Sequence, residues 1–239
     1  MVKTLATAAA LLAAVSGYAA DKPSEKVARN LAALLVAGRA VVAQNQPLIN
    51  DASKGDKGFT ADAFGAAVSA ELKAKGGIDL AALGATRDDR LLKALFAAER
   101  ETVADAQRTI NLAGMGFKGF TPAVFGLHAA EKFGKATGLS LKQTSDKYRN
   151  PVNQPDAFEK GVLAKFAAAG WTRGQGYAEV VDRGGKKVLR YLQPLYIAKP
   201  CLACHGEPKG ELDVAGRAKE GYREGDLRGA VSVIVPIAQ

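Results

Sequence analysis

Residues 29–80 align with residues 90–141 without a gap, at an offset of 61. About two in five aligned positions are identical, the mark of a duplicated supersecondary unit. Matches include Arg29/Arg90, Leu31/Leu92, Leu34/Leu95, Val42/Val103, Gln46/Gln107, Ile49/Ile110, Asn50/Asn111 and Gly55/Gly116. The strongest stretch pairs Lys57-Gly58-Phe59-Thr60 with Lys118-Gly119-Phe120-Thr121, and Phe64-Gly65 with Phe125-Gly126. Leu31, Leu34, Leu35 and Val42 recur near helical spacing, so each copy reads as a long helix, a Gly-rich turn and a shorter helix. Thr60 and Thr121 suit helix N-caps, and Pro122 suits a first helical turn. Two like hairpins packed together are expected. The run from Gly114 to Gly119 fits G-x-G-x-x-G, but it follows a helix rather than a strand and is discounted as a dinucleotide site.

From about Leu139 the pattern changes. Leu139 to Thr144 alternates like a half-buried strand. Tyr148 to Asp156 is a proline-pinned loop, and Asp156 to Ala169 is helical in pattern. Strands are expected over Tyr177–Val181 and Val188–Ile197, with Asp182-Arg183-Gly184-Gly185 as their hairpin turn, and over Val231–Ile237. Helices first and a mostly antiparallel sheet after give an α+β class.

The first residues read as an export signal: Lys3, a short apolar run from Leu5 to Val15, then Gly17-Tyr18-Ala19 as a small-x-small cleavage site. An uncleaved anchor is the alternative. The expected organisation is 1–19 leader, 20–85 first hairpin, and 86–239 a domain that contains the second hairpin. Loss of Lys3 lowers the net charge from +9 to +8. No later stretch is expected to span a membrane, so the mature protein is expected in a periplasm. Its basic residues are dispersed, without the aromatic-interleaved patch that nucleic-acid binding favours. An acidic partner protein, docked by electrostatic steering, is compatible with the charge.

The two cysteines of the chain are Cys201 and Cys204, and His205 is one of its two histidines. A C-x-x-C-H arrangement arises in a shuffled chain of this composition on the order of one time in ten thousand, and it is the pattern of c-type haem attachment. Two thiols at this spacing can each join a vinyl group of one haem, and the adjacent imidazole can meet the iron. A redox-active C-x-x-C would want a strand before and a helix after, whereas Pro200 and Gly206-Glu207-Pro208 flank this one. Zinc would need a fourth ligand, such as His128 or a carboxylate. A structural disulfide is a further alternative.

Other residues extend the pattern: Thr144-Ser145, Arg149-Asn150-Pro151, Asn153, Pro155-Asp156, Glu159, Tyr191, Pro194-Leu195, Gly206, Gly221-Tyr222 and Gly225-Asp226-Leu227-Arg228-Gly229-Ala230. With the C-x-x-C-H segment, these resemble the c-type-haem-binding family of PAS-like (Cache-like) periplasmic domains, found alone or as sensor parts of histidine kinases. The resemblance covers about residues 90–239. It implies long N-terminal helices against a PAS-like antiparallel sheet and one covalent haem c. Well-characterised members place a Cys as second iron ligand in the helix before the Arg-Asn-Pro loop. The equivalent region here, near Thr121–Phe125, has no Cys.

His128 is therefore a candidate for the iron's other face, with Met115, Lys118 or a vacant position as alternatives. Its counterpart in the first copy is Ala67, so the repeat does not require it. Arg149 either meets a haem propionate or pins its own loop through Asp156 or Glu159. No acid–base cluster accompanies the motif. The expected role is a monohaem c-type cytochrome that carries single electrons. Alternatives are a haem-based redox or gas sensor working through a separate transducer, since the chain ends at Gln239 without one, and a peroxidase-like enzyme.

Overall fold

The structure, a computed structural model, describes residues 22–237. The expected leader over 1–19 lies outside the described residues.

Both halves of the duplication form as expected. The first is α1 (Lys22–Gln44), the short α2 (Gln46–Ile49) and α3 (Ala61–Gly76); the second is α4 (Arg87–Ile110) and α5 (Pro122–Thr137). Thr60 Oγ1 accepts from the Ala63 N–H at 3.1 Å and Thr121 Oγ1 from the Val124 N–H at 3.3 Å, so each second helix is capped by its threonine. The copies interlock reciprocally. Gln46 Nε2 donates to the Phe120 carbonyl at 2.9 Å, and Gln107 Nε2 donates to the Phe59 carbonyl at 2.8 Å. Asn50 Oδ1 accepts from the Lys118 N–H at 3.0 Å, and Asn111 Oδ1 accepts from the Lys57 N–H at 3.2 Å. Between these bonds four rings form a chain: Phe59–Phe64 at 6.1 Å, Phe64–Phe125 at 5.2 Å and Phe125–Phe120 at 6.2 Å between centroids.

One repeat position breaks the symmetry. Gly38 of α1 faces its own counterpart, Glu99 of α4. A Cβ at Gly38 would stand 2.9 Å from Glu99 Oε2 and 3.0 Å from Phe125 Cε1. Glu99 is fully buried and both its carboxyl oxygens lack hydrogen-bond partners. Burial pushes its pKa well above the usual range, so the side chain is held neutral.

The sheet is antiparallel in the order β1-β4-β3-β2, with β1 (Ser140–Thr144), β2 (Tyr177–Asp182), β3 (Lys187–Tyr196) and β4 (Leu227–Pro236). The class is α+β with N-terminal helices packed on the sheet. The last strand starts four residues before its expected Val231. Side chains alternate across the sheet. Leu189, Tyr191, Val231, Val233 and Val235 join the core of the helical hairpins. Leu192 and Ala230 face α6 (Ala157–Ala167), with Val162, Leu163 and Phe166. A capping box, Asp156 with Glu159, starts α6.

The helix that lies along β3 and β4 is α1, whereas α5 covers β1 and α4 packs mainly on other helices. The boundary expected at 85/86 falls at a short 3₁₀ turn (Leu80–Ala82) and the Thr86 cap of α4, but one hydrophobic core runs across it. No stretch after the leader was expected to span a membrane; α1 is long and apolar enough to do so by length and composition alone. More than half of that apolar window, 56%, is buried inside the protein, and the buried part is the face that packs on the sheet and on α3–α5.

Candidate functional site

Cys201 to His205 follows β3 directly. Lys199–Cys201 makes one 3₁₀ turn and α7 (Leu202–His205) one helical turn. The turn closes through the Cys201 N–H to the Ala198 carbonyl at 2.8 Å and the Gly206 N–H to the Leu202 carbonyl at 2.9 Å. A helical turn brings positions three and four apart to one side, which places Cys201, Cys204 and His205 together. Position 206 must be glycine, because a Cβ there would stand 2.6 Å from the Leu202 carbonyl oxygen. Both cysteines are free and half-buried.

The His205 ring is held from one side. Its Nδ1 lies 2.8 Å from Glu220 Oε2, and Tyr222 stands edge-on at 6.5 Å between ring centroids. The Tyr222 N–H also donates to the His205 carbonyl at 2.9 Å. With Nδ1–H committed to a carboxylate, Nε2 is the nitrogen that can act as a ligand, and the carboxylate raises its basicity. Burial lowers the His205 pKa and the Glu220 contact opposes it, so the neutral imidazole is favoured. Burial works against the Glu220 charge, but Arg149 and His205 outweigh it and bring its pKa down to about 2.

Arg149 holds this assembly from behind. Its Nε donates to Glu220 Oε1 at 2.6 Å, Nη1 to Asp213 Oδ2 at 2.5 Å and Nη2 to the Cys204 carbonyl at 2.7 Å. The Asp213 carboxylate is completely buried. Arg149 does pin a loop, but the loop after His205 rather than its own. The partners expected for it are engaged elsewhere: Asp156 pairs with Arg190 at 2.8 Å, and Glu159 with Lys142 at 2.9 Å.

The other candidate ligands sit among the helical hairpins. His128 is exposed in a polar cleft between α4 and α5, with Thr102, Asp105, Glu131, Lys132 and Lys135. Met115 is 44% exposed on the α4–α5 turn. Lys118 is buried, its ammonium donating to the carbonyls of Leu112 and Met115, as Lys57 donates to those of Lys54 and Gly55 in the first copy. The structure thus brings Cys201, Cys204, His205 and Arg149 together and leaves His128, Met115 and Lys118 among the helices. Glu220 and Asp213 were missed by sequence reasoning, since they lie 71 and 64 positions from Arg149 and in no pattern of their own.

Among the described residues no three His, Cys, Asp or Glu side chains converge as ligands of a bare metal ion, and a zinc cage lacks its donor set. A haem asks less of the chain, because its porphyrin supplies four of the iron's ligands. Two thiols on one helical turn beside an imidazole with its Nε2 free fit that group.

The Tll0287-like family matches residues 79–236. A solved structure, described as the cyanobacterial heme-protein Tll0287, is 28% identical, with a TM-score of 0.39 over 46% of this chain and 68% of its own. No curated protein matches.

Proposed function

The chain belongs to the Tll0287-like family, and we propose that it is a periplasmic monohaem c-type cytochrome that transfers single electrons. The observation that carries this reading is the Cys201–His205 turn, with His205 Nδ1 tied to Glu220 at 2.8 Å and Nε2 left to meet iron. The description of the similar cyanobacterial protein as a heme-protein agrees with it. Cys201 and Cys204 would hold the haem as thioethers, each thiol adding its S–H across a vinyl C=C so that no oxidant would be consumed. The bound haem supplies a one-electron couple at its iron. Glu220 orients His205, Arg149 holds Glu220, and Asp213 balances Arg149. The charge of +8 expected after loss of Lys3 suits docking on an acidic redox partner.

The second reading is a haem-based redox or gas sensor. It draws on the placement of His128, Met115 and Lys118 among the helices, since a face of the iron without a protein ligand can take up a small gas. Carbon monoxide added to the reduced protein separates the two. Reversible one-electron cycling without a carbon monoxide shift supports the carrier; rapid, stoichiometric binding overturns it in favour of the sensor.

A further inference from the structure

We propose that Lys147 and Arg228, stacked on Tyr222 beside His205, are the charges that raise the reduction potential of the haem. This rests on the haem reading above. The fold brings the pair to one corner. Thr144 at the end of β1 lies opposite Ala230 near the start of β4, so the residues just beyond that pair meet. The approach is close, because a Cβ at Gly229 would stand 2.2 Å from the Thr144 carbonyl oxygen. Buried Ser145 ties the two sides together. Its Oγ accepts from Arg228 Nη1 at 2.6 Å and from the Lys147 N–H at 3.2 Å. Arg228 Nη1 also donates to the Lys147 carbonyl at 3.2 Å. Lys147 Nζ stands 4.6 Å above the Tyr222 ring, and the Arg228 guanidinium lies 5.7 Å from the centre of the same ring. Tyr222 is 7% exposed and abuts His205 with its ring at 6.5 Å and its N–H at 2.9 Å. One buried ring thus links both cations to the imidazole.

The charges behind His205 act in the opposite sense. Glu220 and Asp213 are both paired with Arg149, which leaves one net negative charge in the frame that orients the imidazole. Ferric iron carries one positive charge more than ferrous, so negative charge nearby favours the oxidised form and lowers the potential. Lys147 and Arg228 bring two positive charges on the Tyr222 side. Among the described residues neither forms an ion pair, and their polar partners, Ser145 Oγ and the Lys147 carbonyl, are neutral. The acids of this corner are engaged elsewhere: Glu220 by Arg149 and His205, Asp226 by the Arg223 N–H at 2.7 Å, and Glu207 by the Arg223 guanidinium. The two cations differ in their exposure to salt. Lys147 is exposed and Arg228 is half-buried, so dissolved ions screen the first more than the second.

The test compares Lys147→Gln, Lys147→Arg and Arg228→Gln with the wild type, all carrying covalent haem, by potentiometric titration at low and at high ionic strength. Lys147→Gln is expected to shift the midpoint potential downward at low salt, and the shift should shrink at high salt. Lys147→Arg, which keeps the charge, is expected to restore the wild-type value, as a residue that acted only through packing would not. Arg228→Gln should shift the potential in the same direction and keep more of its shift at high salt. Lys75→Gln removes the same charge at the end of α3, where the lysine serves Glu71, and should leave the potential unchanged. Because Lys147 is exposed, its variants keep the test decisive even where Arg228→Gln fails to fold. A potential unmoved by Lys147→Gln, or a shift that Lys147→Arg does not restore, with haem still attached, overturns the charge pair alone. A wild-type protein without covalent haem overturns the reading beneath it.

Discussion

Glu99 and Gly38 stand at equivalent positions of the duplication, and each accounts for the other. The helix interior would ordinarily prefer Ala to Gly by about 0.5–1 kcal/mol. Gly38→Ala is nonetheless expected to destabilise the fold by about 1–3 kcal/mol through the clash with Glu99 and Phe125. Glu99→Ala in the same chain should relieve most of that loss, a coupling that denaturant titration of the double-mutant cycle measures. The carboxyl also titrates in an unusual direction. The folded state keeps a proton that the unfolded chain releases above pH 4.5. Stability therefore falls as pH rises from there toward the folded-state value, by at most about 1.4 kcal/mol per pH unit. Glu99→Gln removes the titration, so its stability relative to wild type should grow with pH across that window; a pH-independent difference would contradict the buried neutral carboxyl. For Arg149→Leu the expectation is a loss on the order of 3 kcal/mol, because Asp213 stays buried without its partner. A melting midpoint unchanged by that substitution would show that the loop is held some other way. Cys201, Cys204, His205 and Arg149 were visible in the sequence because motif and spacing are local. Glu220 and Asp213 reach the site only through the fold.

At the scale of elements, the duplication predicts matched energetics. Gln46→Ala leaves the Phe120 carbonyl without its donor, and Gln107→Ala does the same to Phe59. Each is expected to cost about 1 kcal/mol, and the two losses should agree within a few tenths, since the bonds are equivalent. Strongly unequal losses in thermal unfolding would contradict the interlocked arrangement. Most elements could be read beforehand. Helical spacing, the Thr60 and Thr121 caps, the Asp182–Gly185 turn and the alternation of β1 to β3 are all short-range signals. The early start of β4 was not legible, because Leu227 to Ala230 contains Arg228 and Gly229 and has no apolar alternation.

For the whole molecule, the decisive fact is which copy covers the central strands β3 and β4. The organisation expected from the sequence put a boundary at 85/86, and the family match begins at residue 79. Across that boundary α1 lies on β3 and β4, and Leu31, Leu35 and Val42 share one core with Leu189, Val231 and Val233. Two like copies carry like patterns, so nothing in their periodicity says which one docks. A chain cut to residues 86–239 would expose that sheet face and is expected to lose cooperative unfolding; a sharp, wild-type-like melt would contradict the packing described.

The central claim is covalent haem on the Cys201–His205 turn. Intact-mass spectrometry of the exported protein, combined with alkylation after unfolding, tests it most directly. The account predicts the mass of one added haem and no alkylated thiol. A haem-free mass with both Cys201 and Cys204 alkylated would contradict it.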